Sequence, residues 1–302
     1  MNEKPQPQNP AAPPRSHIVN FSGGVTSWAA AKRVVEHYGP EQTTLLTADT
    51  GGEADDWLDH IHASAKDVGA AEHVIVRSTK YNDIYDLAVK RRHLPNPIVG
   101  ICTIELKVVP IKEWIAANAP PGFTQHFGFD YTEIHRLDKL RESELKHNDR
   151  PPHLTQAPLL WNPLISKSQA LDQLRASGLT MPAAYTEGHA HNNCLATGCF
   201  KAGPKAWAKL LEQRPEAYLQ TERFEKDFRK HINPKATILR ANHNDPTAYE
   251  KHTLERLRHQ QQQQPALPTI ADDSPCSCFS PDDIAALAAR QSTHPGLAAT
   301  AE

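Results

Sequence analysis

The chain has no long apolar stretch and no recognisable export signal. None of its 302 residues falls in a run approaching the roughly 18–20 consecutive apolar residues that a membrane-spanning helix needs. The first fifteen residues, MNEKPQPQNPAAPPR, contain no apolar segment of the kind found in secretory signals. We therefore predict a cytoplasmic protein that does not enter a membrane.

The chain carries almost no net charge and few cysteines. The formal net charge of −2 excludes a protein that binds nucleic acid through overall positive charge, although it does not exclude a local basic patch. The five cysteines are an odd number for a chain of this class. That number disfavours a disulfide framework and favours metal or redox chemistry.

Short apolar runs alternate with helical patterns through the first half of the chain. Strands are predicted at 17–21, 43–48, 74–76 and 123–129, with helices that end at Gly39 and Gly69 and further helices at 109–118 and 133–147. Strands alternating with helices of this length predict an α/β fold, a Rossmann-like parallel sheet flanked by helices.

The second half of the chain is predicted to be a helical extension. Helices are expected from a cap at Ser168 to Gly178, from Pro204 to Gln213, after Pro215, and at 281–291. The sequence turns polar near residue 234, and the glutamine run at 260–264 is interpreted as solvated low-complexity sequence. We predict a disordered leader at 1–16, one domain at 17–233, and a polar tail with a short helix at 234–302.

A glycine-containing turn, SGGVTS at 22–27, follows the first predicted strand and opens the first predicted helix. Gly23 and Gly24 let the backbone approach an anion closely. The hydroxyls of Ser22, Thr26 and Ser27, with the N–H groups at the helix start, are donors for phosphate oxygens. The turn is either a phosphate-binding loop or an ordinary connection, and its position between strand and helix favours the phosphate loop.

Four further segments carry a resemblance to a known family. They are DTGGE at 49–53, CTIELKVVP at 102–110, GFDYTEIHR at 128–136 and NNCLATGCFKAG at 192–203. The glycine turn resembles the PP-loop of the ATP pyrophosphatase, or adenine nucleotide alpha-hydrolase-like, superfamily. Together the segments resemble the phosphoadenosine phosphosulfate (PAPS) reductase family over about residues 17–230. The resemblance implies that the chain binds ATP or PAPS with Mg²⁺.

The matched segments contain charged residues suited to such a ligand. Lys107, Arg136 and Lys201 are either phosphate- or sulfate-binding cations or solvated surface charges. Glu133 precedes Arg136 by three residues and either orients it or is a simple helix-start charge. Asp49 follows the second strand, where it either binds a ribose hydroxyl, an adenine amino group or magnesium, or caps the next helix. For Glu53 we favour the helix cap.

The cysteines leave three alternatives open. The resemblance covers Cys102, Cys194 and Cys199, which as thiolates could hold a [4Fe–4S] cluster with one open iron. The spacing His189-x-His191-x2-Cys194-x4-Cys199 is instead compatible with a closed Zn²⁺ site. Buried cysteines also serve as small apolar residues.

Cys276 and Cys278 lie outside the resemblance, in a Cys-Ser-Cys tail. PAPS reductases use a C-terminal cysteine as a nucleophile on sulfur, so these two residues are interpreted as a mobile redox pair. The tail lacks the Glu-Cys-Gly-(Ile/Leu)-His context of that family. This departure makes sulfonucleotide reduction the alternative rather than the first hypothesis.

Three functions follow from these patterns. The first is an enzyme that adenylates a substrate, releases pyrophosphate and then delivers sulfur or an amine. Nucleosides and nucleic acids are candidates for its acceptor. The second is a thiol-dependent PAPS or adenylylsulfate reductase. The third is a zinc-stabilised module that binds nucleotide or nucleic acid without catalysis. The sequence does not specify an oligomeric state.

Overall fold

A five-stranded parallel sheet lies at the centre of the fold. The computed structural model describes residues 16–97, 99–146, 153–189, 191–192, 194–239 and 252–263. The strands are β1 (His17–Asn20), β2 (Thr43–Asp49), β3 (Glu72–Arg77), β4 (Thr124–His126) and β5 (Leu154–Gln156). They are ordered β3-β2-β1-β4-β5, and every neighbouring pair is parallel. The predicted Rossmann-like α/β class is confirmed.

Helices connect and cover the strands. They are α1 (Val25–Tyr38), α2 (Trp57–Val68), α3 (Ile84–Arg91), α4 (Ile101–Thr103), α5 (Val109–Asn118), α6 (Ile134–Lys146), α7 (Lys167–Ala176), α8 (Ala183–Thr186), α9 (Pro204–Gln213), α10 (Pro215–His231) and α11 (Leu254–Gln263). A π-helical turn, Ile104–Val108, joins α4 to α5. Within the described ranges, no helix combines the length and the apolar character needed to cross a bilayer.

Alternate residues of β1 enter two different cores, as the two-residue period of a strand requires. Val19 packs in a cluster with Trp28 of α1 and Ile61 of α2. Ile18 packs on the opposite face of the sheet, in a cluster that includes Ile115 of α5. Both faces of the central strand are therefore buried, which explains why apolar residues occupy the adjacent positions Ile18 and Val19 instead of alternating with polar ones.

Several predicted boundaries need correction. The cap of α7 is Ser166, not Ser168. The Ser166 hydroxyl accepts a hydrogen bond from the backbone amide of Gln169, and the Gln169 side-chain oxygen accepts one from the backbone amide of Ser166. The strand predicted at 123–129 is shorter, Thr124–His126, and Gly128 beyond it lies against the backbone of Thr26 and Ser27. The predictions did not include α3 or β5, and β5 is only three residues long.

The helical part beyond α8 forms a second core. Trp207 of α9 and Tyr218 of α10 are buried there together with Leu254 and Leu257 of α11. Part of the segment interpreted as a solvated polar tail is thus helical and packed, although most of its glutamines still face solvent. Residues 1–15 of the leader predicted at 1–16, Cys276, Cys278 and the helix predicted at 281–291 lie outside the described residues.

A buried carboxylate joins α11 to α10. Glu225 is 1% exposed and accepts hydrogen bonds from the amides of Ile238, at 2.8 Å, and Leu254, at 2.7 Å. Burial raises the pKa of Glu225 to about 7. One side chain therefore satisfies two backbone donors on either side of residues 240–251, and it holds the start of α11 against α10.

Acid is expected to destabilise the fold through His126 of β4. This residue is 0% exposed and lies 3.1 Å from His17, between the two ring nitrogens. Burial, followed by repulsion from His17, lowers the pKa of His126 to about 3. The unfolded chain gains this proton below about pH 6.5, so the free energy of unfolding should fall by about 1.4 kcal/mol per pH unit below that value.

Urea unfolding at pH 7.5 and 5.0 measures this loss. His126→Gln should reduce the pH dependence by the contribution of one proton, whereas His231→Gln, at an exposed position of α10, should leave it unchanged. An equal pH dependence in the wild type and in His126→Gln would contradict the assignment.

Candidate functional site

A cavity of about 670 Å³ opens at the carboxyl ends of β1 and β4. These two strands are neighbours in the sheet, yet the chain leaves them towards opposite edges, through β2 and β5. Open parallel sheets bind ligands at such a reversal of strand order, because the loops after the two strands diverge and leave a crevice. The cavity therefore lies where this topology places a ligand.

The predicted phosphate turn forms one wall of the cavity. Gly23 has φ +74°, and a Cβ at that position would lie 2.8 Å from Cδ1 of Ile61. The Ser27 hydroxyl donates to the Gly24 carbonyl at 2.8 Å and lies 3.2 Å from the Ser22 hydroxyl. Ser22, Gly24, Thr26 and Ser27 line the cavity. The turn thus presents hydroxyls and the start of α1 to the space.

Gly128 brings the loop after β4 against this turn. A Cβ at Gly128 would lie 2.7 Å from the Ser27 amide nitrogen and 2.7 Å from the carbonyl carbon of Thr26. Both contacts are to backbone atoms, which cannot move as a side chain can. The close approach of the two loops therefore requires glycine at this position.

A buried guanidinium lies on the same wall. Arg136 is 6% exposed, forms an ion pair with Glu133, and stacks with its guanidinium carbon 4.6 Å from the centre of the Phe129 ring. Glu133 and Arg136 both line the cavity, as does Lys107 from the π-helical turn. The structure thus forms the predicted Glu133–Arg136 pair and brings it to the same space as the phosphate turn.

The turn after β2 contributes differently from the prediction. Asp49 is not among the residues that line the cavity; it accepts a hydrogen bond from the Gly51 amide at 2.8 Å and lies 3.6 Å from Arg77. Glu53 lines the cavity and accepts hydrogen bonds from the amides of Thr50 and Gly52. Glu53 therefore stabilises the turn at residues 50–53 and does not cap α2, which begins after Asp56.

Comparisons with known proteins find a structural resemblance without a family match. No protein-family model matches the chain, and no curated protein matches it. A solved structure that resembles it is the U34-tRNA thiolase NcsA from Methanococcus maripaludis with its [4Fe-4S] cluster. That protein is 14% identical, and the match covers 88% of this chain and 80% of that chain with a TM-score of 0.42.

A further group of polar residues reaches the cavity, and the sequence analysis named none of them as a nucleotide contact and considered His191 only as a zinc ligand. Lys167, Tyr185, His191 and Asn192 all line the cavity. The Lys167 ammonium lies 3.3 Å from Nδ1 of His191, and the Asn192 amide donates to the Gly23 carbonyl at 3.2 Å. These residues come from three separate segments with no regular spacing, so only tertiary structure brings them together.

A buried histidine contacts the backbone of the phosphate turn. Nε2 of His60, on α2, lies 3.2 Å from the Gly23 carbonyl, and Nδ1 lies 3.2 Å from the Thr180 carbonyl. Burial lowers the pKa of His60, against the opposing effect of these two contacts. His60 therefore connects the turn to the segment that precedes α8.

The described residues do not form the metal site that the resemblance implies. Among them, no three His, Cys, Asp or Glu side chains are placed to hold a metal ion together. Cys102 packs against the second core, whereas Cys194 lines the cavity with its sulfur 3.5 Å from the Thr50 hydroxyl. Cys102, Cys194 and Cys199 are all described, and they do not form the predicted group of three ligands.

The alternative zinc ligands are also separated. His189 lies 3.8 Å from Glu187, while His191 faces Lys167 in the cavity. Burial lowers the pKa of His189.

Lys201 lies against Gly100, where a Cβ would be 2.7 Å from the Lys201 ammonium nitrogen. Lys201 is not among the residues that line the cavity. Of the three predicted cations, Lys107 and Arg136 reach the site.

Proposed function

We propose that this protein is an enzyme that binds an adenine nucleotide at the cavity and transfers its adenylyl group to a substrate. The observation that carries the proposal is one space lined by both the Ser22–Ser27 turn and the buried Arg136, at the reversal of strand order. Charge-assisted hydrogen bonds from such groups suit a polyphosphate. The choice of an adenine nucleotide rests on the sequence resemblance to PP-loop proteins.

The residues divide the work as follows. The hydroxyls of the Ser22–Ser27 turn, together with N–H groups at the start of α1 other than that of Val25, bind phosphate oxygens, and MgATP brings its own divalent ion. Lys107 and Arg136 offset the negative charge that develops as pyrophosphate leaves. The acceptor attacks the α-phosphorus, the bond to the bridging oxygen breaks, and pyrophosphate departs with that electron pair. The acceptor proton passes to solvent.

A sulfur or amine nucleophile can then displace AMP from the adenylated acceptor. Sulfonucleotide reduction is the second candidate, and Cys194 favours it because this cysteine places a sulfur in the cavity. The products separate the candidates. With MgATP and RNA or nucleoside acceptors, adenylation releases pyrophosphate, and AMP follows only when a sulfur or amine nucleophile is added. With PAPS and a thiol reductant, reduction releases sulfite and adenosine 3′,5′-bisphosphate.

Acceptor-dependent pyrophosphate release therefore tests the proposal directly. Sulfite release from PAPS would replace adenylation by the second candidate. Nucleotide binding with neither product would leave a binding module.

Ser22→Ala is expected to weaken MgATP binding. The change removes a hydroxyl that lies at the cavity and contacts Ser27 and the Gly24 amide. Loss of one hydrogen bond to a charged phosphate should weaken binding about tenfold in isothermal titration calorimetry. Ser177→Ala, which removes a hydroxyl bonded to Leu174 at the end of α7, is the matched control and should not change the affinity.

A further inference from the structure

Tyr185, on α8, places an oxygen at the start of α1. Its hydroxyl lies 3.1 Å from the amide nitrogen of Val25, the first residue of α1, and accepts that hydrogen bond. It also lies 3.5 Å from the position that a Cβ on Gly24 would occupy. The side chain lines the same cavity as the glycine turn. An aromatic residue from a distant segment thus becomes part of the turn.

The backbone that carries Tyr185 is fixed on both sides. Before it, the Ala183 amide donates to Oδ2 of Asp56 at 2.9 Å. After it, Arg214 donates to both carboxylate oxygens of Glu187, from Nη2 to Oε1 at 2.8 Å and from Nε to Oε2 at 3.0 Å. A bidentate pair of this kind fixes orientation as well as distance. The position of the hydroxyl is therefore set before any ligand arrives.

We propose that Tyr185 donates its hydroxyl hydrogen to a phosphate group of the bound nucleotide. A phenol that accepts an N–H hydrogen bond keeps a hydrogen of its own to donate, and accepting the first bond polarises the second. The Val25 N–H would then act on the phosphate through the Tyr185 hydroxyl, which lies between the start of α1 and the ligand. This inference rests on the proposed function, because it requires a phosphate at the turn.

The same geometry assigns a positioning role to the Glu187–Arg214 pair. These two residues are not among those lining the cavity, so any effect on the ligand passes through α8 and Tyr185. Tyr185 of α8 thus contacts the ligand, and the ion pair between Glu187 and Arg214 holds Tyr185 in place.

The direct test is MgATP binding to Tyr185→Phe, measured by titration calorimetry with adenosine as a second ligand. Phenylalanine keeps the ring and removes the hydroxyl. We expect affinity for MgATP to fall about tenfold and affinity for adenosine to stay within about twofold. Tyr38→Phe removes a hydroxyl at the opposite end of α1 and should change neither value.

A double-mutant cycle tests the positioning role. Glu187→Gln should weaken MgATP binding in the same direction as Tyr185→Phe but by less. The double variant should bind as Tyr185→Phe does, since without the hydroxyl the pair has nothing left to position. Independent, additive losses would overturn the positioning role.

Other outcomes are equally decisive. Unchanged MgATP affinity in Tyr185→Phe overturns the inference and leaves the proposed function standing. Tighter binding overturns it too, because the hydroxyl would then compete with phosphate for the Val25 amide. If the wild type binds neither MgATP nor inorganic pyrophosphate, the proposed function and the inference fail together.

Discussion

Gly128→Ala is expected to reduce MgATP affinity by about 100-fold, because it displaces the phosphate turn. The new Cβ would lie within 2.8 Å of three backbone atoms of Thr26 and Ser27. Neither loop can relieve such an overlap by rotating a side chain, so the start of α1 must move away from β4. Calorimetric titration with MgATP and a thermal melt of the same sample measure the effect on binding and the effect on folding separately.

Gly69→Ala is the matched control for Gly128→Ala. Gly69 follows α2 with φ +75°, and a Cβ there would meet no atom within 4 Å. Alanine at this position strains the backbone without pushing on the turn, so it should lower the melting temperature and leave MgATP affinity unchanged. If Gly128→Ala binds MgATP as the wild type does, the two loops do not form one site.

Arg136→Ala is expected to weaken MgATP binding by about 10- to 150-fold, the equivalent of roughly 1.5–3 kcal/mol for a lost charge-assisted hydrogen bond. The loss has two parts. A cation is removed from the cavity wall, and Glu133 keeps a negative charge where phosphate should bind. Titration at two salt concentrations measures it, and the effect should persist at the higher one because Arg136 is buried.

Two further variants separate these parts. Arg136→Lys keeps the charge but not the planar fork, so its affinity should fall between those of the wild type and Arg136→Ala. In Arg136→Ala, adding Glu133→Gln should recover part of the affinity by removing the unpaired carboxylate. Wild-type affinity in Arg136→Ala would place the guanidinium in a purely structural role on the Phe129 ring.

The centre of the fold could be predicted from the sequence because its signals are local. The strand at His17, the glycine turn and the helix ending at Gly39 follow one another within about two dozen residues. The apolar run and the glycine stop signal depend on neighbouring residues alone. The same holds for Pro204 as the first residue of α9.

The missed features depend on tertiary contacts. The start of α11 is fixed by Glu225, 29 residues earlier in the chain, so a helix forms in a segment where composition indicates only polar, solvated sequence. Tyr185 reaches Val25 across 160 residues of sequence. The cysteine prediction used spacing alone, and spacing does not reveal that Cys102 belongs to the second core.

The position of β1 in the sheet has a consequence for biosynthesis. This strand is the earliest to leave the ribosome, yet it lies in the middle of the sheet, between β2 and β4. Its β4 partner emerges about a hundred residues later, roughly 5–20 s at ordinary elongation rates. During that interval one edge of an apolar strand has no partner within the sheet. Nascent chains stalled before Thr124 should therefore recruit chaperones, and those stalled well past Gln156 should release them.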